Sequence, residues 1–479
     1  MNSYANAKNG CSVMASLIRN DDGGEDFDAE SLARILFDVL NQREGGPFCV
    51  ALSGGADSCV LLHALVELRR QGRLVINALH VNHGLHPQAA VWEAHCVELC
   101  RTYSVPLETG KLDIGDSGHG GVEARARAAR YAWFEARIGD GTLLTAHHRD
   151  DQVETVLLRL LRGTGIAGVS GMRAIRPLGR GWVMRPLLKF WRADLERYAR
   201  DRALKWVTDP SNADLGLARN YMRHRVLPVV TRRWPTAPAQ IARFAEHAGQ
   251  AQTILEAVAA SDLDNVTHRR ESAVSGGGGR LRLADVVALE NARLRNLIRH
   301  WFQQCGFAAP SARRLEEIIR RMVQDLEGSA TVMAWSGREL RRYDGWLYLM
   351  RALRFPDARD EWSWDMRAPL QLPVIDGCLH AQHATGAGLA LARIAAQLTV
   401  RWRRGGESCR LPGRDHRHVL KKLFQENRIP PWQRSRIPLL YTDDCLAAVV
   451  GLWYCEPFCA RAGEPSVEFT LRSVGDDAL

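Results

Sequence analysis

Between residues 47 and 165, short apolar runs alternate with longer segments in which apolar side chains recur every three or four positions. Runs of the first kind suit strands buried on both faces, and the second spacing marks one face of a helix. The pattern predicts strands at 48–52, 74–81, 107–112 and 142–146 and helices at 57–70, 88–102, 122–138 and 150–161. Strands that alternate with helices in this way fold as a parallel sheet wrapped on both faces. The expected fold class is therefore α/β, with a doubly wound parallel-sheet domain first.

Beyond residue 190 the strand signal fades, and 194–203, 221–233 and 239–259 read as arginine-rich helices. A helical extension thus follows the sheet, and the first domain is placed at 31–235, after a mobile tail at 1–30. A glycine-rich stretch at 272–279 precedes helices at 289–304 and 312–324 and strands at 331–334 and 346–350, which gives a mainly helical middle domain at 236–355. Short β-like runs punctuated by Pro and Gly fill 366–479, a small α+β C-terminal domain.

At 479 residues the chain exceeds one ordinary core. With 46% hydrophobic and 25% charged residues, wholesale disorder and fibrous folds are excluded. Charge changes the picture more: 64 Lys+Arg against 54 Asp+Glu leaves +10, which points to an anionic partner such as nucleic acid or an acidic membrane surface. No apolar run approaches the ~18–20 residues of a membrane span, and the start has no secretory pattern, so a cytoplasmic protein that engages no membrane is expected. The 11 cysteines are odd in number, and the close pairs Cys96/Cys100 and Cys455/Cys459 have the wrong spacing for a zinc ribbon.

The sharpest local feature is Ser53-Gly54-Gly55-Ala56-Asp57-Ser58, directly after an apolar strand and at the start of a helix. Such a junction gathers unpaired N–H groups and the positive end of the helix dipole, and glycines let an anion approach closely. The loop reads as a phosphate cradle with Ser53 and Ser58 as hydroxyl donors. Asp57 makes sense there if Mg²⁺ lies between it and the phosphates. The Gly-Lys-Ser/Thr ending of a Walker loop is missing.

Three further clusters follow. His80, Asn82 and His83 close the second strand, at the edge where α/β sheets bind ligands; they suit nucleotide binding, although histidines capping a turn would read the same. Glu123, Arg127 and Arg130 share a helix face, either toward a phosphate-lined cleft or toward solvent. In Ala146–Thr155 (AHHRDDQVET), His147, Asp150, Asp151 and Glu154 combine a titrating imidazole with carboxylates; their oxygen ligands favour magnesium over zinc.

The hexapeptide at 53–58 resembles the SGGxDS loop of PP-loop ATP pyrophosphatases. The resemblance narrows with HVNHGL at 80–85, E-x-x-A-R-x-x-R-Y from Glu123 to Tyr131, AHHRDDQVET, Arg162-Gly163-Thr164-Gly165, Arg185-Pro186-Leu187-Leu188, Asp209-Pro210-Ser211-Asn212 and Arg219-Asn220…Arg223…Leu227-Pro228. These occur in the order seen in tRNA(Ile)-lysidine synthetases. The C-terminal stretches Arg404-Gly405-Gly406-Glu407, Gly413-Arg414, LKKLFQ at 420–425, Pro430-Pro431-Trp432 and Ile437-Pro438-Leu439-Leu440 are similar to that family as well. One departure is His86, where many relatives carry Arg.

The resemblance implies ATP, Mg²⁺, free L-lysine and a tRNA(Ile) with a CAU anticodon. ATP would adenylate the oxygen on carbon 2 of the wobble cytidine, and the lysine ε-amine would then displace AMP. On this reading the loop 53–58 grips the phosphates, Asp57 with Asp150 or Asp151 holds Mg²⁺, Arg127 steadies charge on ATP, and His147 orients or deprotonates groups near the transfer. The lysine-binding residues and oligomeric state stay open, with a homodimer among the options. A thiolating enzyme of the same superfamily would want paired cysteines, and C-x-x-C is missing.

RNA contact is expected in the basic C-terminal segment. Residues 401–436 hold eleven Arg/Lys and three Asp/Glu, a local +8. Arg403, Arg404, Arg414, Lys421 and Lys422 would meet phosphates. Trp432, with Trp402 and Phe424, would either stack on bases or anchor a core.

Overall fold

The computed structural model describes residues 26–40, 47–82, 84, 86–112, 122–267, 279–325 and 332–473. The chain forms two compact units, Met1–Leu255 and Glu256–Leu479. Six strands make the sheet of the first: β1 (Phe48–Ala51), β2 (Ile76–Asn82), β3 (Leu107–Lys111), β4 (Thr142–Leu144), β5 (Ile175–Leu178) and β6 (Gly181–Met184), in the order β3-β2-β1-β4-β6-β5. Its helices are α1 (Ala29–Leu40), α2 (Ala56–Arg70), α3 (Ala89–Thr102), α4 (Val122–Ile138), α5 (Arg149–Leu161), α6 (Ile166–Val169), α7 (Arg192–Asp201), α8 (Ala218–Tyr221) and α9 (Leu227–Arg233). A further helix, α10 (Ala237–Thr267), runs in sequence across the boundary between the units.

The apolar run of β1 follows from burial on both faces. Phe48 and Val50 enter the core built with α1, α2 and α7, while Cys49, one step along the pleat, joins Phe134 and Ile138 of α4 on the other face. All neighbouring strands pair in parallel except β5 with β6. That hairpin departs from the all-parallel expectation because Gly179, at φ +57, starts a two-residue turn, and so short a connection permits only antiparallel pairing. The tail assigned to 1–30 also needs correcting: Phe27 is buried with its ring 5.0 Å from Phe190 and 4.9 Å from Tyr198, and α1 begins at Ala29. Residues 1–25 of that tail lie outside the described residues.

In the second unit, β7 (Gly279–Arg282), β8 (Val332–Trp335), β9 (Arg338–Tyr343) and β10 (Trp346–Arg351) form an antiparallel sheet in the order β7-β10-β9-β8. Its core includes Leu297 and Trp301 of the helix Asn291–Gln304. The C-terminal part is more β-rich than the sequence suggests, with a five-stranded and a four-stranded antiparallel sheet. Strand Glu361–Trp364 pairs with Leu398–Arg401, so a boundary at 366 cuts through a sheet. Among the described residues, no helix is long and apolar enough to cross a membrane.

Candidate active site

β2 and β4 flank β1 on opposite sides, so the connections that leave β1 and β4 diverge at a switch point, where open α/β sheets form a ligand crevice. Both of the sequence's strongest motifs sit there. After β1 the chain turns at Gly54, φ +82, a conformation that costs a side-chain-bearing residue strain. A Cβ on Gly54 would also stand 3.0 Å from Val207 Cγ2 and 3.1 Å from Cys96 Sγ. Ser58, nearly buried, donates its hydroxyl to Gly55 O at 2.9 Å and accepts the Ser53 N–H at 3.2 Å. Its hydroxyl therefore holds the loop closed, where the sequence suggested a phosphate donor. Ser53, Gly55, Asp57 and Ser58 line a cleft of about 220 Å³ whose other walls include Arg130, Tyr131, Phe134 and His147. Gly54→Ala should cost about 1–2 kcal/mol in urea unfolding and raise the KM for ATP; an unchanged variant would show that the turn tolerates a side chain.

The second wall begins at the N-terminus of α5. His148 caps the helix, and its backbone N–H donates to Asp151 Oδ2 at 3.0 Å, the carboxylate half of a capping box. Three carboxylates surround its buried ring: Nδ1 is 3.4 Å from Asp150 Oδ2, and Nε2 is 3.5 Å from Asp151 Oδ2 and 3.7 Å from Asp57 Oδ2. Burial alone would lower the His148 pKa, but these carboxylates outweigh it and raise it. Asp57 is pushed above the usual carboxylate range by burial, and Asp151 adds to the effect. Its Oδ1 is buried without a hydrogen-bond partner.

Asp151 and Glu154 meet two arginines from the helical extension. Arg219 Nε donates to Glu154 Oε2 at 2.7 Å and its Nη2 to Asp151 Oδ1 at 2.9 Å, while Arg223 Nε donates to Glu154 Oε1 at 2.6 Å and its Nη2 to Asp151 Oδ1 at 3.2 Å. The Asp151 carboxyl is buried, which opposes ionisation, yet His148 and Arg219 hold it below its ordinary pKa. Both of its oxygens are already engaged. Asp150 Oδ2 accepts the Arg192 N–H at 2.9 Å. Among the described residues, no three His, Cys, Asp or Glu side chains form a ready metal cage. Magnesium in phosphate sites normally takes only one or two carboxylates plus substrate oxygens, and Asp57, with its unpartnered Oδ1 in the cleft wall, fits as one such donor, while Asp150 meets the other ring nitrogen of His148.

His147 lines the cleft with Nδ1 3.0 Å from Thr145 Oγ1. Burial, reinforced by Arg185, Arg219 and Arg127 against the opposing pull of Asp151, brings its pKa down to about 3, so the ring stays neutral. Arg127 is exposed, its guanidinium 5.1 Å from the Tyr131 ring centre, and Arg130 on the next turn is the arginine that lines the cleft. His80 and Asn82, expected at the nucleotide, are engaged elsewhere. His80 Nδ1 is 2.8 Å from Leu52 O, under the loop; Asn82 donates to Glu93 Oε2 at 2.8 Å and accepts the Gly84 N–H at 2.9 Å. His83 lies outside the described residues. The sequence passed over His148 as the hub of the carboxylates. It also missed the link from Arg219 and Arg223 to α5, whose one available signal was their i, i+4 spacing.

The expected RNA-binding residues divide. Trp432 is buried against Tyr343 and Tyr348, ring centres 5.8 and 5.2 Å away, and Trp402 and Phe424 are buried too. All three are core anchors, which removes them as base-stacking surfaces. Arg403 is half-buried, 3.5 Å from Glu407; Arg404 pairs with Glu361 at 2.8 Å and Arg414 with Glu426 at 3.1 Å. Lys421 and Lys422 stand exposed on the helix Leu420–Glu426, with no acidic partner among the described residues.

A family model described as a PP-loop domain matches residues 29–230, a TilS substrate binding domain matches 281–348, and a TilS substrate C-terminal domain matches 398–471. The tRNA(Ile)-lysidine synthase of Coxiella burnetii is 41% identical over 91% of this chain and 95% of its own. That of Alkalilimnicola ehrlichii is 40% identical over 91% and 95%, and that of Methylococcus capsulatus 38% over 88% and 94%. Likeness of this extent runs through the first unit and on into the second, and on that ground the chain belongs to the tRNA(Ile)-lysidine synthase family.

Proposed function

We propose that this chain joins free L-lysine to carbon 2 of the wobble cytidine of a CAU-anticodon tRNA(Ile), in the cytoplasm and at the expense of ATP. The observation that carries the reading is the glycine-turned phosphate loop, with its unpartnered Asp57 oxygen, facing the carboxylate-rich start of α5 in a chain of this family. ATP loses pyrophosphate as its α-phosphorus bonds to the cytidine O2. The lysine ε-amine, once deprotonated, then attacks carbon 2, and AMP departs with the oxygen.

The backbone N–H groups at the start of α2 and the helix dipole receive the phosphates. Asp57, with Asp150, would hold Mg²⁺ together with phosphate oxygens, and the chemistry it would supply is positive charge against the leaving pyrophosphate. Arg130 in the cleft wall would add positive charge beside the bound phosphates, and Arg127, exposed one turn earlier on the same helix, would add to it at longer range. Neutral His147 can orient a group by hydrogen bonding, but a pKa near 3 makes it a poor proton acceptor. Thiolation is disfavoured because Cys59, which directly follows the loop in the chain, is buried with its thiol pushed up to about 12, and Cys96 beneath the loop is raised by burial as well.

The test is incubation with the tRNA, ATP, Mg²⁺ and radiolabelled lysine. ATP-dependent label in RNA is expected; AMP release without label would mean another acceptor. Lys421 and Lys422 provide part of the RNA surface on this reading. Each Lys→Ala change should lower the slope of log affinity against log salt by roughly one and leave the melting temperature alone. Equilibrium titrations at several salt concentrations measure this, and an unchanged slope would move the RNA elsewhere.

A further inference from the structure

We propose that residues 205–221 form the platform on which unpaired bases of the RNA substrate stack, with Trp206 and Tyr221 as its aromatic faces. The proposal rests on the tRNA reading above. Aromatics interleaved with cations are the general means of holding single-stranded nucleic acid, since every base has a π face and every linkage a charge. The C-terminal domain supplies cations, but its Trp402, Phe424 and Trp432 are buried. In the first unit, by contrast, Trp206 is 39% and Tyr221 52% exposed. Lys205 and Arg225 are exposed beside them, with no acidic partner among the described residues.

The segment is held rigidly, so these rings are not the ends of a loose loop. Val207 N–H donates to Gly54 O at 3.0 Å, which ties the residue after Trp206 to the phosphate loop. Asp209 accepts the Ser211 N–H at 2.8 Å, and the buried Asn220 donates to Ser211 O at 2.8 Å and to Asp214 O at 2.9 Å. Arg219 and Arg223, on either side of Tyr221, fasten this helix to Asp151 and Glu154. One end of the platform is thus bonded to the phosphate loop and the other to the carboxylate wall. A base set on it meets a surface whose ordering cost was met when the protein folded.

The adenine of ATP is the competing occupant, and the test separates the two. Full-length Trp206→Ala, Tyr221→Ala and Trp206→Phe proteins are compared with wild type for binding of a single-stranded heptanucleotide with CAU at its centre. The KM values for tRNA and for ATP are measured alongside, with thermal unfolding as the folding control. Loss of one base–aromatic stack predicts roughly tenfold or greater weakening for RNA in Trp206→Ala, a KM for ATP within about twofold of wild type, and substantial recovery in Trp206→Phe. Unchanged RNA binding, or a loss that falls on ATP, overturns the proposal. A wild type that binds the heptanucleotide but adds no lysine to tRNA refutes the functional reading, while the binding comparison still decides the platform.

Discussion

Asp57→Asn is expected to reduce ATP-dependent lysine incorporation on the order of 10³-fold while leaving the protein as stable as wild type, or more so, near neutral pH. The activity loss follows from removing a carboxylate whose buried Oδ1 stands in the cleft wall without a hydrogen-bond partner. The stability effect follows from the same atom. Burial raises the Asp57 pKa above its unfolded value, so the folded state holds that proton more tightly than the unfolded chain does. Stability is therefore lost as pH rises from the unfolded value, about 4, through the higher folded value, and ionised Asp57 is a burden at neutral pH. Melting curves without ATP or Mg²⁺ should show wild type gaining on the variant as pH falls through that window. An active variant, or one that melts well below wild type at pH 7.5, would mean that Asp57 is structural.

Glu154→Ala should have the opposite signature, a loss of fold and of rate together. Glu154 is 1% exposed and accepts the Nε groups of both Arg219 and Arg223. Removing it leaves two partly buried guanidinium groups competing for Asp151. Breaking a buried ion pair from one side costs on the order of 3 kcal/mol, or about 10 °C in melting temperature for a unit of this size. Asp151 would then shift with the arginines, and kcat should fall more than the affinity for ATP. Coupling can be read from a double-mutant cycle of Glu154→Gln with Arg223→Met. Additive effects would dissolve the network, and a coupling above about 1 kcal/mol would support it.

The parts of this site that were legible in the sequence are those where neighbours in the chain are neighbours in space. The loop at 53–58 was readable because a strand, two glycines and a helix start lie within a few residues, and the predicted helix 150–161 matches α5 to within a residue. The network on Glu154 was not, because its arginines lie 65 and 69 positions further along the chain. His147 and His148 are adjacent, yet one faces the cleft while the other is ringed by carboxylates, and a strand-to-helix junction does not announce which. Trp402, Phe424 and Trp432 sit among charges in the sequence but inside the C-terminal cores in space, since a basic segment of short strands still needs large side chains to bury.

The underside of the phosphate loop is floored with sulfur. Cys59 Sγ donates to Gly54 O at 3.3 Å, Cys96 packs on the same glycine, and Cys100 is buried in the same core. Burial holds the Cys59 thiol near 12 and Cys100 near 11, and Cys96 is raised as well, so none offers a thiolate to an alkylating reagent. Among the described residues, Cys445, which opens the strand Cys445–Val449, is the exposed cysteine. With Cys11, outside those residues, changed to Ser, a maleimide dye should react first at Cys445, ahead of the partly exposed Cys305 and Cys459, whose thiols burial holds near 11, giving an optical probe on the second unit while the phosphate loop stays chemically untouched.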